Sequence, residues 1–141
     1  MSNIIYHDTP DGLAILFASP DCGLTIEEIA AKDIPQGAPF KIAETLDIDL
    51  DFLAAYDFCP DNGAKLDIPR AKDIQRNHWR SARIPLLAAL DVAFMRAVEI
   101  ADEVAQASIA AKKQALRDVT ATELPDDLAA IKAAWPAILI H

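Results

Sequence analysis

Residues 3–17, NIIYHDTPDGLAILF, place β-formers on either side of a turn and predict a β-hairpin. Ile4, Ile5 and Tyr6 open the first strand, Pro10-Asp11-Gly12 supplies the turn chemistry, and residues 13–17 return as the second strand. A short helix should follow. Thr25 and Glu28 stand in the T-x-x-E spacing of a capping box, in which each side chain satisfies a free backbone N–H of the first turn. Ile26, Ile29 and Ala30 then share one face, which should pack on the hairpin. Pro35, Gly37 and Pro39 mark a loop, and the alternation in residues 40–42 reads as a third strand. Phe52, Leu53 and Tyr56 fit a single helical face and predict a short helix there. The turn signal CPDNG over residues 59–63 comes next, with Leu66 and Ile68 in an expected last strand.

From Pro69 the periodicity changes to that of helices. Proline suits a first helical turn because its missing N–H would be unpaired there. Residues 70–83 predict one helix, and Pro85 should kink it or start a new one. Leu87, Leu90, Phe94, Ala97, Ala101 and Val104 recur at spacings of three and four, the narrow stripe of a helix packed on another helix. Leu90 and Phe94 are therefore expected to face a neighbouring helix. Ile109, Leu116 and Val119 continue a second stripe. Two arrangements fit: a single long helix, or an antiparallel helical hairpin that turns near Ala101-Asp102. Pro125 should open a last short helix with Asp126 and Asp127 in its first turn, where the helix dipole favours acids. That helix should end at Trp135-Pro136 and leave the apolar tail AILIH.

This is the pattern of an α+β protein: a small N-terminal head of β-hairpin, sheet and short helix over residues 1–68, then a C-terminal helical arm over 69–141. Charge divides the chain in the same place. Residues 1–69 hold three basic and thirteen acidic side chains, a net −10, whereas residues 70–141 hold ten and nine, a net +1. The total of −9 opposes contact with nucleic acid and with anionic membranes. Hydrophobic types make up 52% of the chain, so it can fold, but much of that is alanine, which predicts close helix contacts rather than one thick core. The start MSNIIYHDTPDG lacks the features of a signal peptide, no window approaches the ~20 apolar residues of a membrane span, and Cys22 and Cys59 are few and far apart. The expectation is a cytoplasmic, reduced protein.

The candidate chemistry is sparse. Asp47, Asp49 and Asp51 resemble the start of a calcium loop, but Phe52 stands where that loop needs glycine and Phe58 where it needs its closing glutamate. A solvated acidic loop is the better reading. Cys22, Cys59, His7 and His78 have no spacing that would pre-arrange metal ligands, and two partly buried free thiols are expected. No nucleophile elbow, phosphate loop or dinucleotide glycine pattern occurs, so neither an enzyme nor a cofactor is expected. Lys72, Arg76, Arg80 and Arg83 fall at i, i+4, i+8 and i+11 on one helix face, with Trp79 beside them. Such a face could meet nucleic acid; the charge of the whole chain favours protein contact, either with the acidic head or with an acidic partner. Trp79 and Trp135 are aromatic anchors of the kind found at partly covered interface positions. The tail residues Ile138, Leu139 and Ile140 should be covered either by the arm itself or by a partner chain.

The rear half resembles a known group. RNHWRSARIPLLAALDVAFMRAVE, then IAAKKQALRDVT, then LAAIKAAWP are similar to segments of small phage proteins encoded near tail-fibre genes. The matching positions are Gln114, Ala115, Leu116, Arg117 and Asp118 of the KQALRD helix, then Trp135 and Pro136 after a variable loop. The front segment LTIEEIAAKDIPQGAPFKI is also similar to one common in such proteins. Related sequences carry glycine between the two rear helices, where this chain has Ala101. The resemblance implies a phage tail or tail-fibre accessory protein, an assembly chaperone or small virion component. Its partner would be a tail-fibre or baseplate protein, or a second copy of itself. It would act in the bacterial host cytoplasm during assembly, with retention in the virion tail as the alternative. The contact residues expected on this reading are Lys72, Arg76, Trp79, Arg80, Arg83, Trp135, Ile138, Leu139 and Ile140. The alternative function is a small phage regulator that contacts nucleic acid through the basic helix 70–83.

Overall fold

The computed structural model describes residues 3–140. The chain is α+β, and it divides into two compact units, residues 1–71 and 72–141.

In the first unit, strand β1 (Ile4–Thr9) pairs antiparallel with β2 (Gly12–Phe17) and with β3 (Phe40–Ala43), giving the order β2-β1-β3. The hairpin is held in register by Ile4 opposite Phe17 and Thr9 opposite Gly12, and the Thr9 hydroxyl donates to the Gly12 carbonyl at 2.7 Å. Period-two alternation sends Ile5 to one face of β1 and Tyr6 to the other. Ile5 meets Ile29, Ala30 and Ile34 of helix α1 (Ile26–Asp33) and of its C-terminal cap, with Leu16 and Ile42 packed around them. Each fully buried aliphatic side chain of this kind contributes about 1.5–3 kcal/mol. The capping box of α1 is present in both directions: the Thr25 amide donates to Glu28 at 2.7 Å, and the Glu28 amide donates to Thr25 Oγ1 at 3.2 Å.

The second sheet of this unit is a ribbon of β4 (Tyr56–Cys59) and β5 (Gly63–Leu66), laid against the first so that β4 approaches β1 and β2 while β5 approaches β1 and β3. Here the structure corrects two sequence expectations. The helix expected to include Tyr56 is a 3-10 turn, Leu50–Ala55, capped by Asp49; Tyr56 instead pairs with Leu66 in the ribbon. Ile68 is not in the last strand but opens helix α2 (Ile68–Glu99). The Asp67 carboxylate causes this switch by accepting from the Arg70 amide at 3.0 Å, an N-cap bond. That bond, ahead of the Arg70 guanidinium at 3.3 Å, holds the Asp67 carboxyl below its ordinary value. The stabilisation is thus complete above the ordinary carboxylate range and is lost as pH falls through the lowered value. Arg70 also pairs with Asp57, which raises its own pKa.

In the second unit, α2 runs unbroken through Pro85. Of the two alternatives for Pro85, the start of a new helix does not occur. Proline removes the bond to the carbonyl of Ser81, and because both residues are exposed, water can satisfy that carbonyl. Helix α3 (Glu103–Asp118) returns antiparallel, so the rear is a helical hairpin rather than one long helix. Side chains mark the register: Gln106 donates to the Ala97 carbonyl at 3.3 Å, and the Lys113 amine reaches Asp91 at 2.5 Å and lies over the Phe94 ring. Leu90 and Phe94 face α3 as their spacing implied, although Phe94 is only half-buried.

The turn falls at Ala101-Asp102, where the hairpin arrangement, one of the two that fit the sequence, put it. Ala101 has φ +56, the left-handed region that alanine disfavours by about 1–2 kcal/mol. The Ala101 amide donates to the Val98 carbonyl at 3.0 Å and the Asp102 amide to the Ala97 carbonyl at 2.9 Å, the two bonds of a Schellman motif. Asp102 then caps α3 through the Ala105 amide at 2.9 Å. Ala101→Gly should therefore stabilise the chain, by about 0.5–1 kcal/mol after the greater freedom of unfolded glycine is subtracted. Urea denaturation measures this, and a loss of stability would count against the turn.

The last helix, α4 (Leu128–Ala133), begins three residues later than Pro125 implied. Asp127 is its cap, accepting from the Ala130 amide at 3.0 Å, and Asp126 lies outside it. The core of this unit joins Trp79, Leu116, Val119, Leu124 and Leu139, with Leu86, Leu87 and Leu90 packed against them.

Candidate protein-binding surface

The four cations of α2, expected to meet the acidic head or an acidic partner, are mostly engaged within the second unit. Lys72 reaches Asp126 at 2.5 Å, and Arg76 pairs with Asp73 at 3.6 Å. Arg83 donates to the carbonyls of Leu116 and Arg117 at 3.3 and 2.9 Å, which satisfies the open end of α3. Arg80 is exposed and donates to Asn77 at 2.5 Å. Lys72 and Arg83 thus tie α2 to the approach to α4 and to α3, while the bonds of Arg76 and Arg80 stay within α2.

Trp79 is also structural. Only 1% of it is exposed, and its indole N–H donates to the Ala134 carbonyl at 3.0 Å. It is not available as a contact residue, because the sequence could not show that the end of α4 would fold over it. Beside it lies Gln75, a buried amide that no sequence argument singled out. Its Nε2 donates to the carbonyls of Ala134 at 3.0 Å and Lys132 at 3.4 Å, and its Oε1 lies 3.0 Å from His78 Nδ1. Ala71, Gln75 and Trp79 are buried at four-residue spacing, so the signal was present as a polar residue on an inward stripe.

The tail divides. Leu139 is buried in the core and docks on its own unit, so it too is unavailable to a partner. Trp135 is 41% exposed and borders a hollow of about 250 Å³ with Trp79, Thr122 and Pro136. Ile138 and Ile140 remain exposed, and His141 lies outside the described residues. Ile138 lines an open groove of about 350 Å³ whose other walls are Leu86, Ala89 and Leu90 from α2 and Leu116 and Lys112 from α3. The groove is apolar apart from the Lys112 side chain. Leu86, Ala89 and Lys112 were not recognisable as one site until the turn at Ala101 set the hairpin register.

The remaining candidates hold no assembled centre. Asp47 accepts from the Thr45 hydroxyl at 3.1 Å and Asp49 from the Asp51 amide at 3.0 Å, bonds that order a loop. Cys22 and Cys59 are free thiols; Cys22 is exposed rather than partly buried, because it lies in a surface loop. Among the described residues no group of three His, Cys, Asp or Glu side chains is placed to hold a metal ion, and no helix is long and apolar enough to cross a membrane.

Comparison with known proteins found no matching family model, no matching curated protein and no matching solved structure.

Proposed function

We propose that this chain is a phage tail or tail-fibre accessory protein, an assembly chaperone or small virion tail component, that acts by binding other proteins. The observation that carries the reading is the open apolar groove of the helical unit, where Ile138 stays exposed beside Leu86, Ala89 and Leu90. Exposed apolar surface of this kind marks an interaction site. The resemblance of the KQALRD and WP segments to proteins encoded near tail-fibre genes supplies the class of partner. The mechanism is masking: the groove holds an apolar segment of a fibre or baseplate subunit until that segment meets its final neighbour, and mass action stabilises the bound conformation of the client. Lys112 at the rim favours a client segment with an acidic group next to its apolar one.

The test is co-expression with a phage tail-fibre protein, followed by capture. Ala89→Glu and Ile138→Asp change exposed groove positions and should leave the fold intact. Capture by the native chain and its loss in both variants supports the reading. Equal capture by all three chains removes the groove from it, and no capture by the native chain removes the tail-fibre partner.

A regulator that grips nucleic acid is less well supported, since Lys72, Arg76 and Arg83 already have partners inside their unit. No binding to duplex DNA at physiological salt is expected. A mobility-shift titration that shows salt-sensitive micromolar binding, abolished when Arg76 and Arg80 are changed to Glu, would reverse that order.

A further inference from the structure

Around the hollow of about 250 Å³ beside Trp135, the C-terminal segment meets α2 and the loop that follows α3. Its walls are of two kinds. The indoles of Trp79 and Trp135 and the ring of Pro136 are flat and apolar. Thr122 and Glu123, both exposed, add a hydroxyl and a carboxylate. Trp79 is held in place, since its indole N–H donates to the Ala134 carbonyl. Elsewhere in this unit the carboxylates of Asp73, Asp91 and Asp126 pair with Arg76, Lys113 and Lys72. Among the described residues no cation of the chain pairs with Glu123, and none stacks on Trp135; the Lys113 amine lies over Phe94 instead. An open indole and a carboxylate without a cation thus share one hollow.

We infer that this hollow holds an arginine side chain of a partner protein. The chemistry of the walls selects the occupant. The face of an aromatic ring attracts a cation through its quadrupole, and the indole does so most strongly. Glu123 beside it adds an ionic partner and repels anions, the phosphates of nucleic acid included. An aliphatic side chain would fill the apolar walls but strip water from the carboxylate and return no hydrogen bond. Of the two cationic side chains, the guanidinium fits better. It is planar and weakly hydrated, it stacks on rings, and it can donate two parallel N–H bonds to one carboxylate. The lysine ammonium is a compact, strongly hydrated charge that does neither as well. Size agrees: the hollow is below the ~300 Å³ at which pockets for larger ligands begin, so it takes the head of a single side chain. That the arginine belongs to a protein client rests on the binding role proposed above. The site itself does not, and it can be tested without a client.

The test is a titration of the full chain with arginine amide, followed by NMR at the indole N–H signals of Trp79 and Trp135 and at the Thr122 and Glu123 amides. Saturable shifts at Trp135, Thr122 and Glu123 are expected, with a dissociation constant on the order of millimolar for so small a ligand. Citrulline amide, which has nearly the same shape without the charge, should give none. Lysine amide should bind at least about threefold more weakly. Glu123→Gln and Trp135→Leu both change exposed positions. They should weaken arginine amide at least about threefold and fivefold, respectively, while the Trp79 signal stays in place. Absence of saturable shifts overturns the site. So does equal binding of citrulline amide, or an affinity that both variants leave unchanged. Lysine amide that binds as tightly as arginine amide overturns the choice of guanidinium. Trp135→Leu should also weaken capture of the tail-fibre protein. If arginine amide binds as expected and that capture is unchanged, the site stands and its use by the client is overturned.

Discussion

Replacing Gly63 with alanine should destabilise the chain by about 2–5 kcal/mol, measured by chemical denaturation. Two effects combine. Gly63 has φ +92, a conformation that an L side chain reaches only under strain, at about 1–2 kcal/mol. A β-carbon built there would also stand 2.5 Å from Cδ2 of Tyr6 and 3.0 Å from its Cγ, closer than packed atoms allow. The Tyr6 ring has little freedom to withdraw. It is buried at the centre of the first sheet, and its hydroxyl accepts from the Asp47 amide at 3.1 Å while lying 3.5 Å from the Thr45 carbonyl. Forcing extra volume into a packed site costs a further ~1–3 kcal/mol. Gly12→Ala is the matching control: Gly12 has φ +112, but a β-carbon there meets nothing within 4 Å, so only the backbone cost should appear. Equal losses for the two variants would mean that the contact between Tyr6 and Gly63 carries no energy.

Trp79→Ala should cost about 3–5 kcal/mol, the range for emptying the site of a large buried aromatic ring. The ring packs with Leu116 of α3, Val119 of the following turn, Leu124 and the tail residue Leu139. One substitution therefore loosens the hairpin and the C-terminal segment together. Trp79→Phe should cost much less, about 1–2 kcal/mol, since the phenyl ring keeps most of the contact and the Ala134 carbonyl still accepts from Gln75. A loss under ~1 kcal/mol for the alanine variant would show that the tail and α3 hold together without this ring. Accelerated proteolysis after residue 134 in Trp79→Ala, absent from Trp79→Phe, would show that the indole is what pins the tail.

Most of the local structure was legible in the residues because short-range chemistry decides it. The hairpin followed from Pro10-Asp11-Gly12 between β-formers, and α1 from its capping box. The turn at Ala101-Asp102 fell at one of the two arrangements that the stripe allowed; Asp102 as a cap explains it, while Ala101 in place of glycine obscured it. Tyr56 was misread as helical because its spacing from Phe52 and Leu53 fits a helix as well as a strand, and only pairing with Leu66 decides between them. Pro85 does not start a new helix, because the Ser81 carbonyl that it leaves without a donor is exposed to water.

For the candidate surface the division is sharper. The sequence by itself determined the apolar stripes, the basic row and the apolar tail, since these are properties of side chains at fixed spacing. Only the tertiary structure decided which of them remain available. The carbonyls that end α3 and α4 need donors, and the fold supplies Arg83, Gln75 and Trp79, so these residues became structural. Leu139 went into the core, while Ile138, one residue away, stayed out because the 3-10 turn at Ala137–Leu139 points neighbouring side chains in different directions. A free cation and a capping cation, or a covered and an uncovered aliphatic side chain, look the same in sequence. What separates them is which backbone groups are left without partners when distant segments meet.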